Sequence, residues 1–404
     1  MNSINMKASI SNKYTVRAYP AYNAHKQQGM TLIELMIGSL IGIFLLIGVY
    51  NIYISGKKTM TYQKERSNLQ NEAQFAFSFI AEKLQQASDF GCSNISGKLT
   101  SSSLVNTESK TFRPWRGIEG WEASSTGIGT PITLNEKASV LTVSTQSNNN
   151  YQLSSNWTTS TQEVAALDTS VKSVRNSDIL KIWYTDTNVG KITATSGDDI
   201  TLSTVDVKKG DIVVLNDCET IIMAQVCACD ADDLTTPCSG TDTHINISNT
   251  CSGLSPGNKA ANLNKLNLST AEARKLKQAI FYVSKQSSNA NNAPNLYWKE
   301  LNQDASSGTA KPLLENVENI QFLYGEDTDN DASPNYYVSA DAVTHWNDIV
   351  SLKINLLLRS YQKILSTETA VMFNGVSLTP PSGDHYMRYS FSTTIALRNQ
   401  LLAK

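Results

Sequence analysis

A single carboxylate interrupts a long apolar run near the start of the sequence. The run extends from Met30 to Tyr50, and its only charged residue is Glu34. At about 1.5 Å per residue, a helix of this length reaches about 31 Å, enough to cross the roughly 30 Å hydrocarbon core of a membrane. A carboxylate near the bilayer centre costs about 2.5 to 3.5 kcal/mol, so it normally faces a partner. The run therefore predicts a membrane-spanning helix whose Glu34 is paired.

A second set of carboxylates alternates along one short segment, at Asp327, Asp329 and Asp331. Alternate Asp side chains on a turning loop can direct several oxygens at a hard cation such as Ca²⁺. The segment departs from an EF-hand loop, because Ala332 replaces the expected Gly and Val338 replaces the bidentate Glu. Two interpretations stay open, a calcium site and a solvated acidic turn. The sequence indicates no other metal and no cofactor.

Six cysteines follow the apolar run, and an even number in an oxidising compartment predicts disulfides. Fifteen pairings are open; we expect at least one local bridge within 227–251 and a distant one from Cys92 to a partner such as Cys218. A zinc site is the alternative, although the spacing lacks paired C-x-x-C knuckles. His244 is predicted to be a polar loop residue. The cysteines are Cys92, Cys218, Cys227, Cys229, Cys238 and Cys251.

No catalytic pattern is present among the histidines that follow the apolar run. His244, His345 and His385 belong to no H-E-x-x-H, G-x-S-x-G or P-loop pattern. We therefore predict that the protein is not an enzyme.

The tryptophan-rich segment 113–121, RPWRGIEGW, has two interpretations. Most tryptophans of a sheet domain belong to its core. If the segment is exposed, it is the first candidate for a partner surface, because Trp and Arg are enriched at binding hot spots.

The apolar run is predicted to continue into a second, amphipathic helical half. No Pro occurs between Asn51 and Ser88, and apolar residues recur there at helical spacing between charged and amide residues. Those residues are Met60, Leu69, Ala73, Ala76, Ile80, Leu84 and Ala87. The predicted divisions are a basic N-terminal segment at 1–29, a spanning half at 30–55, an amphipathic half at 56–90 and a β-rich domain at 91–404.

The rest of the chain reads as short strands with polar loops, which gives an α+β fold class. Several strands alternate apolar and polar residues, as a half-exposed antiparallel sheet requires. A capping-box pattern at 269–272 predicts a short helix to Lys277, and 146–162 and 285–293 are predicted loops. The predicted strands are 139–145, 178–184, 211–216, 220–226, 279–284, 296–299, 320–324, 350–358 and 386–397.

Charge predicts the orientation in the membrane. Residues 1–29 carry four basic side chains and no acid, which favours a cytoplasmic N-terminus and an external C-terminal domain. The whole chain has a formal net charge of −2, so without those four positive charges it is near −6. A negative chain argues against nucleic-acid binding, which depends on basic side chains.

Residues 26–34 resemble the leader of type IV prepilins and type II secretion pseudopilins. The pattern is Lys26, Gly29, Met30, Thr31, two aliphatic residues and Glu34, with Met30 in place of the commoner Phe. The resemblance implies that a membrane prepilin peptidase cuts between Gly29 and Met30, and that the new amine of Met30 is methylated. It also implies that Thr31 and Glu34 set the axial register between packed helices.

Three later segments resemble PilW-type minor pilins: LQQASDFGCS at 84–93, GDIVVLNDCETIIMAQV at 210–226, and 319–360. In the first, Ser88 stands where that family usually has Gly. The resemblance implies a structural component of the type IV pilus that primes assembly in a tip complex and supports twitching motility, adhesion or DNA uptake. Its implied partners are other minor pilins, the major pilin and a tip adhesin.

The same resemblance implies a protein held in the inner membrane, with its C-terminal domain in the periplasm, before it enters the extracellular pilus, or fimbrium. Two alternatives are a minor pseudopilin of type II secretion and a DNA-uptake receptor on a pilus.

Overall fold

The structure is a computed structural model that divides into two compact units, Met1–Thr59 and Met60–Lys404. It describes residues 29–91, 112–132, 134, 140–147, 150–160, 171–203, 206–229, 242–249, 254, 257–259, 263, 266–285, 293–301 and 309–401.

One long helix, α1, runs from Leu32 to Gln86. In its second half the apolar residues at helical spacing form a buried stripe, as the sequence predicts, whereas Met60 is 72% exposed and lies outside that stripe. The helix ends four residues before the predicted position 90, because Ser88 takes a left-handed backbone conformation at φ 60°. The buried stripe consists of Leu69, Ala73, Ala76, Ile80 and Leu84.

The remaining elements are nearly all strands, which confirms the α+β class. A second short helix, α2, is Arg398–Leu401. The strands are β1 Ile118–Ala123, β2 Val140–Thr142, β3 Ser144–Ser147, β4 Asn150–Leu153, β5 Trp157–Thr158, β6 Lys172–Val174, β7 Ile179–Ser196, β8 Asp199–Ser203, β9 Ile212–Asn216, β10 Ile221–Gln225, β11 Ala228–Cys229, β12 Asp242–Asn246, β13 Glu272–Ser284, β14 Asn295–Leu301, β15 Ala310–Leu314, β16 Val317–Glu326, β17 Tyr336–Val338, β18 Ile349–Lys363, β19 Val371–Phe373, β20 Val376–Leu378 and β21 Tyr386–Ala396.

Two sheets organise the strands. An 11-stranded sheet has the order β10-β9-β13-β7-β8-β12-β11, with β1 and β5 joined through β7, and β14 and β15 joined through β13. A four-stranded sheet has the order β17-β16-β18-β21. The pairings within both sheets are antiparallel. Short two-stranded pairs, β19–β20 among them, complete the described part.

One apolar core joins the second half of α1 to both sheets. The stripe of α1 packs with residues of β7, β13 and β14 from the larger sheet and of β16, β18 and β21 from the smaller one. Phe281 and Trp298 belong to this core, with ring centroids 4.7 Å apart, and Phe79 of α1 meets both edge-on. Aromatic pairs of this kind add to the free energy of area burial.

A buried pair of carboxyl groups links the two sheets. The carboxylate of Asp178 accepts hydrogen bonds from the backbone of Ala123 in β1 at 2.9 Å and of Phe322 in β16 at 3.0 Å. Its neighbour Glu122 accepts from the Thr126 hydroxyl at 3.0 Å and shares a hydrogen bond with Asp178. A hydrogen bond between two carboxyl groups requires a proton on one of them. When this hydrogen bond is formed, at least one carboxyl group of the pair is therefore protonated.

The cause of that protonation is burial. It raises the pKa of Glu122 to about 7, helped by the nearby charge of Asp341 and opposed by the hydrogen bond from Thr126. Burial, with the charge of Glu122, also raises the pKa of Asp178. Besides Asp341, the titratable group near this pair is Tyr324, whose pKa is raised by burial and by both carboxyl groups.

A buried ion network holds the last strands of the smaller sheet. The guanidinium of Arg388 donates to Glu318 at 2.6 and 2.9 Å and to Asp384 at 2.9 and 2.6 Å. Arg359 lies 3.6 Å from Glu318. Two cations and two carboxylates therefore neutralise each other where water is largely excluded.

The structure corrects two predictions and sharpens a third. The predicted helix at 269–277 is wrong, because Glu272–Lys277 belongs to β13, which pairs with β7 and β9 on its two edges. The predicted loop at 146–162 contains β4 and β5. The predicted strand at 139–145 is broken at position 143 between β2 and β3. The other predicted strands coincide with strands of the structure.

Replacing Arg388 by Met is expected to lower the free energy of unfolding by about 3 to 5 kcal/mol, because it leaves the buried carboxylate of Asp384 without its cation and leaves Glu318 with Arg359 alone. Denaturant unfolding followed by tryptophan fluorescence measures the effect. Arg175→Met removes an exposed Arg and serves as the control, expected within about 0.5 kcal/mol of wild type. A loss below about 1 kcal/mol for Arg388→Met would contradict the assignment.

The carboxyl pair makes stability depend on pH. The folded state holds a proton on Glu122 between an unfolded pKa near 4.5 and a folded value of about 7, so the free energy of unfolding falls as pH rises through this range. We expect Glu122→Gln to flatten that fall by about 2 to 3 kcal/mol, measured as urea midpoints from pH 4.5 to 7.5. Glu82→Gln, at an exposed position of α1, is the control and should keep the wild-type slope.

Candidate functional site

The residues of the predicted processing site lie at the start of α1. Gly29, Met30 and Thr31 are exposed and precede the first helical residue. The hydroxyl of Thr31 accepts a hydrogen bond from the backbone N–H of Glu34 at 3.3 Å, and the carbonyl of Thr31 accepts from Glu34 and Leu35. Thr31 is therefore the N-cap of α1, with Glu34 in the N3 position of a capping-box sequence.

The first half of α1 leaves its apolar surface uncovered. It is the one helix of the described residues with the length and composition of a membrane span, and none of its most apolar 18-residue window is buried. Glu34 is exposed on the same surface and has no ion-pair partner among the described residues. Both the apolar surface and the carboxylate therefore need partners that this unit does not itself supply.

The end of α1 is fixed to the larger sheet by polar contacts. The Asn216 amide donates to the carbonyl of Phe90 at 2.7 Å, and the Thr185 hydroxyl donates to the carbonyl of Asp89 at 2.8 Å. Gly91 packs so closely on Asn216 that an added Cβ would lie 2.6 Å from the amide nitrogen. The segment before Cys92 thus lies beside the segment that contains Cys218.

Three of the predicted disulfide cysteines are described, and all three are disulfide-bonded: Cys218, Cys227 and Cys229. Cys92, Cys238 and Cys251 lie outside the described residues, so the predicted pairings stay predictions. A thiol in a disulfide is not available as a zinc ligand, which argues against the zinc alternative. His244 lies in β12, with Nδ1 3.2 Å from the Thr201 hydroxyl, so its predicted place in a loop is wrong.

The three Asp residues of the acidic segment come together in the turn between β16 and β17. Their carboxylates lie within 4.8 Å of one another; Asp327 is buried, whereas Asp329 and Asp331 are exposed. The Asp327 carboxylate accepts hydrogen bonds from the backbone of Asn330 at 2.7 Å and of Ala332 at 3.1 Å. Both of these residues have a left-handed backbone, at φ 64° and 67°. The turn therefore forms with Ala where the calcium-loop pattern expects Gly.

The donor set fits only part of a calcium site. Calcium takes six to eight oxygen ligands, so three carboxylates would leave the rest to backbone carbonyls and water. A neighbouring group of Glu326, His345 and Asp348 is a less suitable metal site. The buried Glu326 carboxylate accepts hydrogen bonds from Thr344 and, at 2.6 Å, from the backbone of His345. These bonds outweigh burial and lower the pKa of Glu326, which stabilises the turn before β18.

The tryptophan-rich segment belongs to the core. Trp121 is 3% exposed and packs with Trp157, while Trp115 packs at the edge of a cluster around Trp183. Trp121 is therefore too deeply buried to belong to an exposed partner surface, which is the alternative interpretation of this segment.

If the acidic turn is a calcium site rather than a solvated turn, we expect a dissociation constant of about 10⁻⁴ to 10⁻³ M, the range of extracellular modules. Isothermal titration of the full chain in uncharged-detergent micelles measures it. A double substitution, Asp329→Asn with Asp331→Asn, should abolish the calcium heat, whereas Asp206→Asn, at an exposed position elsewhere, should not. Absence of calcium heat in the wild type would leave the solvated turn as the interpretation.

Comparison with known families gives two matches. Residues 280–399 match the family model described as Type IV Pilus-assembly protein W, and residues 24–50 match the model described as Prokaryotic N-terminal methylation motif. No curated protein and no solved structure matches the chain. The segments 84–93 and 210–226 lie outside both matches, so their resemblance to PilW proteins stays a prediction.

The two matches agree with the geometry at both ends of the chain. The methylation motif covers the capped start of α1, and the PilW match covers the end of β13 through β21, including most of the strands that pack on the second half of α1. The two matches support a PilW-type minor pilin and a role as a component of type IV pilus assembly, and the apolar N-terminal helix fits a membrane anchor.

Proposed function

We propose that prepilin peptidase cuts this chain between Gly29 and Met30, that the amine of Met30 is then methylated, and that the processed protein primes pilus growth. It does so in a tip complex with other minor pilins, the major pilin and a tip adhesin. The pilus it starts serves twitching motility, adhesion or DNA uptake.

The uncovered first half of α1 is the observation that carries this proposal. Met30 is 69% exposed, and large apolar residues along the spanning segment are exposed to a similar degree. Before assembly, inner-membrane lipid covers this surface; within a pilus, the helices of other subunits replace the lipid. Gly38 and Gly42, spaced as G-x-x-x-G, have no atom within 4 Å of an added Cβ. Small residues at this spacing let helix backbones approach closely.

The unpaired Glu34 gives that packing its register. After the cut, the amine of Met30 is a cation, and Glu34 becomes the fifth residue of the mature chain. An opposite charge recovers much of the cost of a carboxylate in an apolar layer, and leaving that carboxylate alone there is unfavourable. Pairing between the amine of one subunit and Glu34 of another therefore selects one axial position.

The capped helix start suits this chemistry. Thr31 begins the helix directly after Met30, so Glu34 lies in the first helical turn. Gly29 precedes the helix in an exposed, non-helical segment, where the peptide bond to Met30 is open to a peptidase.

The mechanism is assembly rather than turnover. The domain from β1 to β21 makes lateral contacts in the periplasm and then in the pilus, while the helix joins the bundle. No catalytic motif is invoked, and the protein is proposed not to be an enzyme.

Glu34→Ala is expected to leave leader cleavage intact and to reduce incorporation into pili at least tenfold, because the amine of the neighbouring subunit loses its partner. Mass spectrometry of the membrane-bound protein reports the mature terminus and its methylation, and immunoblots of sheared pili report incorporation. Glu34→Gln should behave like Glu34→Ala, since it keeps the shape and removes the charge.

Glu82→Ala is the matched control, because it removes an exposed carboxylate from the second half of the same helix. It should be incorporated at the wild-type level. Normal incorporation of Glu34→Ala would refute the pairing role, and a native protein that still begins upstream of Met30 would refute the processing step.

A further inference from the structure

A gap in the 11-stranded sheet creates a polar cleft. One edge of β13 pairs with β7, whereas its other edge pairs first with β9, through Glu272–Lys275, and then with β14, from Gln278 onward. Between these two partners, Leu276 and Lys277 lie opposite neither strand. A cleft of about 370 Å³ lies at this gap. That volume is within the range of pockets that hold small ligands.

Lysines from three parts of the chain line this cleft. They come from the turn before β9, from β13 and from β15, and are Lys208, Lys275, Lys277 and Lys311. The acidic lining residues are Asp211 and Glu300, so the lining carries two positive charges in excess. Trp298 and Leu301 supply apolar wall. This local excess contrasts with the net negative charge of the chain.

Two of these four lysines form ion pairs with carboxylates. Lys275 lies 2.5 Å from Asp211, and Lys277 lies 2.7 Å from Asp186 outside the lining. Lys208 and Lys311 have no side-chain hydrogen bond or ion pair within the part of the chain that the structure describes.

The other acid is also engaged. One oxygen of Glu300 accepts a hydrogen bond from the hydroxyl of Tyr184 at 2.9 Å. The cleft thus keeps two ammonium groups available for an added anion. Such groups act as compact, strongly hydrated point charges that accept phosphate and carboxylate oxygens alike.

We infer that this cleft is a binding site for a small oxyanion with two or more negative charges, carried on phosphate or carboxylate groups. Lys208 and Lys311 bind the charged groups, and the wall formed by Trp298 and Leu301 contacts the body of a larger ligand. This inference does not depend on the proposed role in pilus assembly, and its failure would leave that role untouched.

Binding is tested by isothermal titration of the full chain in uncharged-detergent micelles at low ionic strength. The probes are inorganic phosphate and citrate, with glucose as the neutral probe. We expect saturable binding of phosphate and citrate, weakened by added salt, and no binding of glucose. Lys208→Gln and Lys311→Gln should each weaken citrate binding about threefold to fivefold, as expected for partly exposed ion pairs.

Asp211→Asn separates a site from a folding defect. It keeps the size of the side chain and releases Lys275 from its carboxylate, so citrate binding should tighten about threefold. An unfolded variant could not bind more tightly. Lys172→Gln, at an exposed position in β6, makes the same charge change as the cleft variants and should leave binding unchanged.

Three results would overturn the inference. These are no saturable binding of either anion, an equal loss in Lys172→Gln and the cleft variants, or weaker binding in Asp211→Asn.

Discussion

The two halves of the long helix α1 need different environments, and the arrangement of the rest of the molecule follows from that requirement. The backbone is helical without a break along Leu32–Gln86. The environment that each half of the helix needs is therefore set by its side chains. The first half is apolar on all sides and buries none of its most apolar window. The second half is apolar along one stripe, which the protein itself covers. A helix of the first kind needs lipid or other helices, whereas one of the second kind needs a domain.

The domain meets that need by placing two sheets around one stripe. The segment that matches the PilW family, 280–399, contains strands of both sheets, so the matched part of the chain supplies much of the core around the helix, together with β7 from outside it. Asp178 joins the sheets from outside this segment by accepting from Ala123 and Phe322. Gly120 permits the contact, because an added Cβ there would collide with the Tyr324 hydroxyl. The larger sheet thus depends on buried polar contacts as well as on apolar packing.

The sequence predicts the elements whose residues repeat at a single period. The stripe from Leu69 to Leu84 and the alternating strands were identifiable, because burial on one face selects apolar residues at every turn or at every second residue. The sequence pattern at the start of β13 predicts a helix, and that prediction is wrong. Its charged residues suit a helix surface, but pairing on both edges overrides local preference. The short neighbouring strands β3 and β4, which pair with each other, have too few residues for a period to show.

The candidate sites likewise differ in how far the sequence predicts them. Gly29, Thr31 and Glu34 form a contiguous motif, so both the motif and its capped geometry could be expected from the sequence. Asp327, Asp329 and Asp331 were equally visible, but the hydrogen bonds that occupy Asp327 depend on the backbone of the turn. Glu122 and Asp178 are 56 residues apart, and no local pattern relates them.

The lysine cleft shows why total charge is a poor guide to local binding. Salt screens charges that are more than about 10 Å apart, so binding at contact depends on which charges face one another rather than on the net charge. Lys208 and Lys311 are 103 residues apart in the sequence, and the gap between β9 and β14 brings them to one cleft. The negative net charge of the chain argues against an extended basic surface of the kind that binds nucleic acid. It does not argue against a cleft where the sheet topology brings a few lysines together while the acidic residues that make the net charge negative lie elsewhere.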